Sequence, residues 1–178
     1  MMEPILRKAR LDDRSDLQSL IAASARSLGL SEYSPAQIEV ALQGAFGVDT
    51  ELVLDETYFL VEVGPRIVAC GGWSRREKGW GGDSHGGTES RLLDPEHDSA
   101  KIRAFFVHPD FARQGLAKRL LQRCEEEACK AGFQSCELTA TLPGLPFYAA
   151  LGYAAGTPFD ADLGGTSIKF VPMHRSLL

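Results

Sequence analysis

Arg113-Gln114-Gly115-Leu116-Ala117-Lys118 follows an apolar, strand-like run, Ala104-Phe105-Phe106-Val107, and opens a helix-like stretch. Between them Pro109 has no N–H to give a sheet ladder, so the strand is read as ending at His108. Gly115 then puts a residue without a side chain in the expected first helical turn. There the N–H groups are unpaired and the helix dipole is positive. An anion can approach such a turn closely, and phosphates are the usual occupants. The charges also run against the ordinary order, in which acids lead and bases follow. Here Arg113, Lys118, Arg119 and Arg123 lead, and Glu125, Glu126 and Glu127 follow. Arg119 and Arg123 are a like-charge pair one turn apart, worth roughly a few tenths of a kcal/mol of repulsion. A polyanion at the N-terminal end would offset both penalties. Taken alone, the charges are better read as a solvated face; the strand–Pro–Gly turn tips the balance to an anion site.

The run Val107-His108-Pro109-Asp110-Phe111-Ala112-Arg113-Gln114-Gly115-Leu116-Ala117 resembles the acyl-CoA pyrophosphate loop of the GNAT N-acetyltransferase superfamily. That pattern is Arg/Gln-x-x-Gly-x-Gly/Ala after the fourth strand. Gly115 and Ala117 match it, while the first position falls on Ala112 with the basic residue next, at Arg113. The resemblance implies that backbone amides from Arg113 to Lys118 (Arg113, Gln114, Gly115, Leu116, Ala117, Lys118) hold the pyrophosphate of acetyl-CoA. It also implies that strands four and five splay, and that pantetheine pairs with Phe105, Phe106 and Val107, where an N–H polarises the acetyl carbonyl. A second match is Phe147-Tyr148-Ala149-Ala150-Leu151-Gly152-Tyr153, similar to the family's Phe-Tyr-x-x-x-Gly-Phe. It implies that Tyr148 is the general acid to the departing thiolate. A tyrosine in an apolar helix is by default a core residue with its hydroxyl satisfied; the local pattern and the upstream loop favour catalysis. An Asn common in the family five residues earlier is replaced by Pro143.

Acyl transfer also needs an uncharged amine. Many relatives place a Glu on the fourth strand, but Lys101 to Val107 contains no acid. Candidates for the base are Asp98 and His97 before the strand, Glu77, Asp83, His85 or Glu89 in the preceding loop, or an ordered water. His108 is read as a solvent-facing loop residue. For the acceptor side, Tyr33 lies on a connection that borders the acceptor pocket in this family, with a tyrosine packing the loop down as an equal alternative. Trp73 and Arg76 stand at the start of a long polar loop.

The elements that must position these residues read as one α/β domain. Ile5 to Arg10 is a first strand. Leu17, Leu20, Ile21 and Leu28 recur at helical spacing after a cap at Asp12 or Asp13, and Gly29 ends that helix. Ser34-Pro35 is a cap and first position for a second helix with Ile38, Leu42 and Phe46 on its buried stripe. Thr57 to Val63 and Arg66 to Trp73 form a hairpin about Gly64-Pro65. Ser74 to Ser99 is long, Gly-rich and charged, and is read as a flexible insertion over the acceptor side. Lys101 to Val107 is the central strand, and Arg113 to Ala131 is a helix with Leu116, Leu120, Cys124 and Ala128 on one stripe. Ser135 to Ala140 follows as a parallel neighbour of the central strand. A short helix starts at Pro146, and two strands, Tyr153 to Phe159 and Ser167 to His174, finish the sheet. The expected fold is a GNAT-like one: a central mixed six- to seven-stranded sheet flanked by helices, with a parallel splayed pair at strands four and five.

Composition narrows the rest. The 178 residues fit a single domain with a sizeable core. A net charge of −5 argues against a general nucleic-acid or membrane surface. Four cysteines lack CxxC or zinc spacing, and the histidines are scattered, so no metal is expected. No signal-peptide pattern, membrane-span run or Asn is found, and the reading is cytoplasmic. Gly82-Asp83-Ser84-His85-Gly86 fits the GxSxG pattern but lacks the strand and helix that a nucleophile elbow needs. The expected activity is direct transfer of an acetyl group from acetyl-CoA to an amine of a small molecule or peptide. The alternative is a non-catalytic acyl-CoA sensor. A sheet edge near the C-terminus offers a contact for a homodimer.

Overall fold

The computed structural model describes residues 2–78, 80–83 and 90–178. An eight-stranded sheet runs through the molecule in the order β1-β2-β3-β4-β5-β8-β6, with β7 also paired to β8. The strands are β1 (Ile5–Lys8), β2 (Tyr58–Val63), β3 (Arg66–Ser74), β4 (Ala100–Val107), β5 (Ser135–Thr141), β6 (Ala154–Ala155), β7 (Phe159–Leu163) and β8 (Thr166–Ser176). The helices are α1 (Arg14–Leu28), α2 (Pro35–Gln43), α3 (Thr50–Leu54), α4 (Leu116–Lys130) and α5 (Leu145–Ala150). One apolar cluster lies between the sheet and α4, and a second lies between the other face of the sheet and α1, α2 and α3.

Local chemistry explains most boundaries. Ser34 caps α2 by accepting from Gln37 N–H, and the Gln37 side chain accepts in return from Ser34 N–H, a reciprocal box with Pro35 at the first position. Helix α3 was not expected from the sequence; Asp49 starts it by accepting from the N–H of Leu52. The end of the chain departs from the expected strands. Instead of one strand from Tyr153 to Phe159, only Ala154 and Ala155 pair with β8, and a separate β7 begins at Phe159. Gly156 and Pro158 explain the break, since Pro158 has no donor for a ladder. Strand β8 is therefore interior, flanked by β5 on one side and by β6 and β7 on the other.

The loop after β3 is held at its base. Arg76 bridges to Leu92, with Glu77 N–H donating to Arg91 O and Leu93 N–H to Arg75 O. Farther out, Trp80 packs on Phe170 with ring centres 5.3 Å apart, and Asp83 accepts from Arg14 and Thr50.

Candidate active site

Strands β4 and β5 run parallel but pair at only three positions: Ala100 with Cys136, Lys101 with Glu137 and Ile102 with Leu138. Beyond Ile102, β4 continues beside β3, and beyond Leu138, β5 continues beside β8. The facing edges part, so the β4 edge from Arg103 to Val107 has no ladder partner on that side.

A bulge produces this divergence. Between Gly72, which pairs with Arg103, and Cys70, which pairs with Phe106, β4 carries one residue more than β3. Ala104 absorbs it with φ +61°, a left-handed conformation costing about 1–2 kcal/mol for a residue with a Cβ. The bulge also resets the alternation of side chains. Ile102 belongs to the α4 face and Ala104 to the α1 face, yet Phe105 and Val107 return to the α4 face and Phe106 to the α1 face. Gly71 is needed opposite, because a Cβ there would stand 2.6 Å from the Phe105 ring. The Ala104 carbonyl is drawn inward, where it accepts from Tyr58 at 3.4 Å and from the Cys70 thiol at 3.5 Å. Burial pushes that thiol up to about 12.

The parted edge leads through a single 3₁₀ turn, Pro109–Phe111, to the N-terminus of α4. The helix begins at Leu116 rather than Arg113, because Arg113 (φ +61°) and Gly115 (φ +82°) are both left-handed. Gly115 is thus the N-cap, and it makes no side-chain cap. No acceptor among the described residues takes the N–H groups of Arg113 through Lys118. Arg113, Gln114, Gly115 and Lys118 are all exposed, and a Cβ at Gly115 would meet nothing within 4 Å. These groups form an open cradle of donors, and beside it stand Arg113 and Lys118, which have no acidic partner among the described residues. The other bases of α4 are engaged: Arg119 donates to Pro4 O, and Arg123 pairs with Glu127 and lies over the Phe59 ring. Tertiary contacts thus account for part of the reversed charge order, with Glu125 taken by Arg175 and Tyr153.

Tyr148 lies on the α4 face, on α5, with only 9% of its surface exposed. Its ring contacts Phe105, Phe147 and Tyr153 edge-on at 6.4, 4.9 and 5.9 Å between centres. Its hydroxyl makes no hydrogen bond to the described residues and is not sealed from solvent, so the ring is buried while the oxygen stays open. Burial raises its pKa well above the ordinary 10, so the oxygen holds its proton.

The expected acceptor residues are not gathered on one surface. Tyr33 is 5% exposed; its hydroxyl donates to Lys169 O (2.6 Å) and accepts from Leu142 N–H (2.8 Å), joining the α1–α2 connection to the ends of β5 and β8. Burial pushes it up to about 12. Trp73 is buried on the α4 face against Phe133, with its indole N–H on Glu127. Arg76 forms a two-pronged ion pair with Asp55, at 2.8 and 3.1 Å.

The described base candidates have other partners. His97 is paired with Asp94, Asp98 accepts from Asp94 N–H and Arg91, Glu77 faces Arg91 and Asp83 is held by Arg14 and Thr50. His97 and Asp98 precede the paired end of β4, away from the point where the strands part. His85 and Glu89 lie outside the described residues.

Sequence reading passed over two groups on the α1 face. One is an aromatic wall, in which Phe46 meets Phe106 at 5.8 Å and Phe170 at 6.4 Å. The other is the buried ion pair of Asp49 and Arg103 (3.1 Å), with Arg103 also reaching Glu51 and Lys78 O. Desolvation raises the Asp49 pKa in spite of Arg103. A hint was available for the second: an arginine on an otherwise apolar central strand demands a buried acid.

A profile of the acetyltransferase (GNAT) family matches residues 25–153. The chain belongs to the GNAT family of acetyltransferases. Membership assigns it acetyl transfer in general. Solved structures with the same fold include a GCN5-related N-acetyltransferase from Rhodopseudomonas palustris, at 19% identity and TM-score 0.74, covering 99% of this chain and 98% of that one. Another is the PaiA N-acetyltransferase of Thermoplasma acidophilum in complex with coenzyme A, at 16% identity and TM-score 0.67, covering 98% and 99%. A third is the ribosomal-protein-S18-alanine N-acetyltransferase of Escherichia coli, at 13% and 0.59, covering 98% and 94%. No curated protein sequence matches the chain.

Proposed function

We propose that this GNAT domain is an acetyl-CoA-dependent N-acetyltransferase that moves the acetyl group directly to an amine of a small molecule or peptide. The observation that carries this reading is the continuity of three features on one side of β4. Its edge, partnerless among the described residues, runs into the open N-terminus of α4, and Tyr148 stands on the same face with no partner for its hydroxyl among them. Acetyl-CoA supplies the activated acyl group as a thioester. The amides from Arg113 to Lys118 hold its pyrophosphate, with Arg113 and Lys118 adding charge. The edge at Phe105, Phe106 and Val107 pairs with the pantetheine, and an N–H there polarises the carbonyl. The neutral amine nitrogen attacks the carbonyl carbon, the C–S bond breaks, Tyr148 gives its proton to the departing sulfur, and the proton that the nitrogen releases passes through water and restores the phenol. The neighbour solved with coenzyme A supports the fit of such a group to this fold.

The second reading is an acyl-CoA sensor without turnover. It is favoured by one observation: β4 presents Lys101 and Arg103, and no acid, on the face away from α4. A calorimetric titration with acetyl-CoA, followed by a panel of amines in the same cell, separates the two. One acetyl-CoA per chain and heat on adding an amine is expected. Binding without heat would leave the sensor, and no binding would remove both. No helix among the described residues is long and apolar enough to cross a membrane. We place the protein in the cytoplasm as part of the same reading, without a metal and without nucleic acid or membrane as partner. With β8 interior, a homodimer contact at the C-terminal side of the sheet falls to β6 and β7.

A further inference from the structure

Helix α5, which carries Tyr148, has six residues, and Gly144 at its N-cap offers no side chain to hold it. So short a helix is not stable by itself, and its surroundings must fix it. Its C-terminal end closes in a Schellman turn. Tyr153 N–H donates to Tyr148 O (3.1 Å), Gly152 N–H donates to Ala149 O (3.2 Å), and Gly152 takes the left-handed φ of +95°. Such a turn brings the side chain after the glycine against the one five positions earlier. In this chain those two are Tyr153 and Tyr148, edge-on with ring centres 5.9 Å apart.

Tyr153 is in turn fixed from outside α5. It is buried, its hydroxyl donates to Glu125 Oε2 at 3.0 Å, and Arg175 donates to the same oxygen. Glu125 lies on α4 and Arg175 on β8, so one hydroxyl ties the end of α5 to the helix whose N-terminus is the donor cradle and to the strand beside β5. Burial raises the Tyr153 pKa, and the oxygen keeps the proton it donates. Filling the core does not require this arrangement. A phenylalanine, the residue that ends the pattern this segment resembles, would occupy the same space without burying a phenol against a carboxylate. On its other side Tyr148 meets Phe105 at 6.4 Å, a ring that the bulge at Ala104 returns to this face. The Tyr148 ring thus has one neighbour set by the parted edge of β4 and another set by Glu125 and Arg175.

We propose that Tyr153, locked through its hydroxyl by Glu125 and Arg175, is a positioning residue that holds the Tyr148 ring against Phe105 and keeps the open Tyr148 hydroxyl at the parted edge of β4. Its effect on turnover rests on the reading of Tyr148 as the acid; the restraint on the ring does not. Tyr153, Glu125 and Arg175 move no proton in the reaction and touch neither substrate.

The test uses the full chain and two readouts. In the first, Tyr153→Phe removes only the tethering oxygen, and kcat should fall at least about threefold while the Kd for acetyl-CoA stays within about twofold. In a Tyr148→Phe background the same change should lower kcat no further, because the acid it positions is gone. An equal loss in both backgrounds would make the tether general packing and overturn the proposal, as would unchanged kcat in Tyr153→Phe. Glu125→Gln keeps an oxygen that accepts from Tyr153 and should retain kcat within about twofold, where Glu125→Ala loses as much as Tyr153→Phe. The second readout needs no turnover. The chain has four tyrosines, so ring-labelled tyrosine gives few NMR signals, and those of Tyr148 are assigned by their loss in Tyr148→Phe. Flipping of the Tyr148 ring should be at least about tenfold faster in Tyr153→Phe, since a wall of its site is released. An unchanged flip rate in the folded variant overturns the restraint. A faster flip in a protein that acetylates no amine would support the restraint and sink the acetyltransferase reading instead.

Discussion

Replacing Tyr148 by Phe removes one oxygen and nothing else from the α4 face. The ring keeps its contacts with Phe105, Phe147 and Tyr153, and the hydroxyl has no partner among the described residues to leave orphaned. The stability change is therefore expected within about 0.5 kcal/mol, where a buried tyrosine with a satisfied hydroxyl would lose about 1–3. The catalytic effect is of another size. A positioned general acid contributes roughly 10²–10⁴-fold. A thiolate leaves more readily than an alkoxide and needs less help from an acid, so the effect can fall below that range, and we expect kcat to fall at least about tenfold, or ~1.4 kcal/mol. The assay is release of free thiol with saturating amine, beside calorimetric Kd for acetyl-CoA and urea unfolding. Turnover should fall with Kd and unfolding midpoint unchanged. The sign of the pH effect follows from burial, which favours the neutral phenol and lifts its pKa above 10. The acid thus stays loaded, and wild-type kcat should not decline between neutrality and pH 10 through loss of this proton. Unchanged turnover in Tyr148→Phe would refute the reasoning. So would a loss accompanied by an equal loss of acetyl-CoA affinity, since that would make the residue packing rather than acid.

Gly115→Glu should abolish acetyl-CoA binding in a folded protein, because the side chain has open space but brings a negative charge to the donor cradle. Calorimetry checks this, with Gly115→Ala as the control for the strain at φ +82°. Arg103→Met should cost about 3–5 kcal/mol in urea unfolding by leaving Asp49 charged, buried and alone; a loss below about 1 would mean that Asp49 folds protonated. Asp13 is held below its ordinary 3.8 by the hydrogen bonds of Arg7, so its contribution is present above that value and lost as pH falls through the lowered one. Asp13→Asn should therefore flatten the loss of stability below pH 3.8, as followed by acid unfolding.

What the sequence made legible divides by the range of the physics behind it. Ser34-Pro35, Gly64-Pro65 and the apolar stripe of α4 rest on caps, turns and periodicity within a few residues, and the helices and strands they announce are present. Gly115 was legible for the same reason, although its left-handed backbone, together with that of Arg113, starts the helix three residues later than charge and composition suggest. The bulge at Ala104 was not legible, because nothing in Arg103-Ala104-Phe105 asks for a positive φ. Its cause lies across the sheet, in Gly71 and in the pull of Tyr58 and Cys70 on the Ala104 carbonyl. The same holds for the acceptor side. Trp73 and Arg76 looked alike as large polar-capable residues beside a loop, yet pairing turns Trp73 into the core and hands Arg76 to Asp55. Glu137 and His174 looked like ordinary strand residues nearly forty positions apart. Only the antiparallel register of β5 and β8 makes them neighbours.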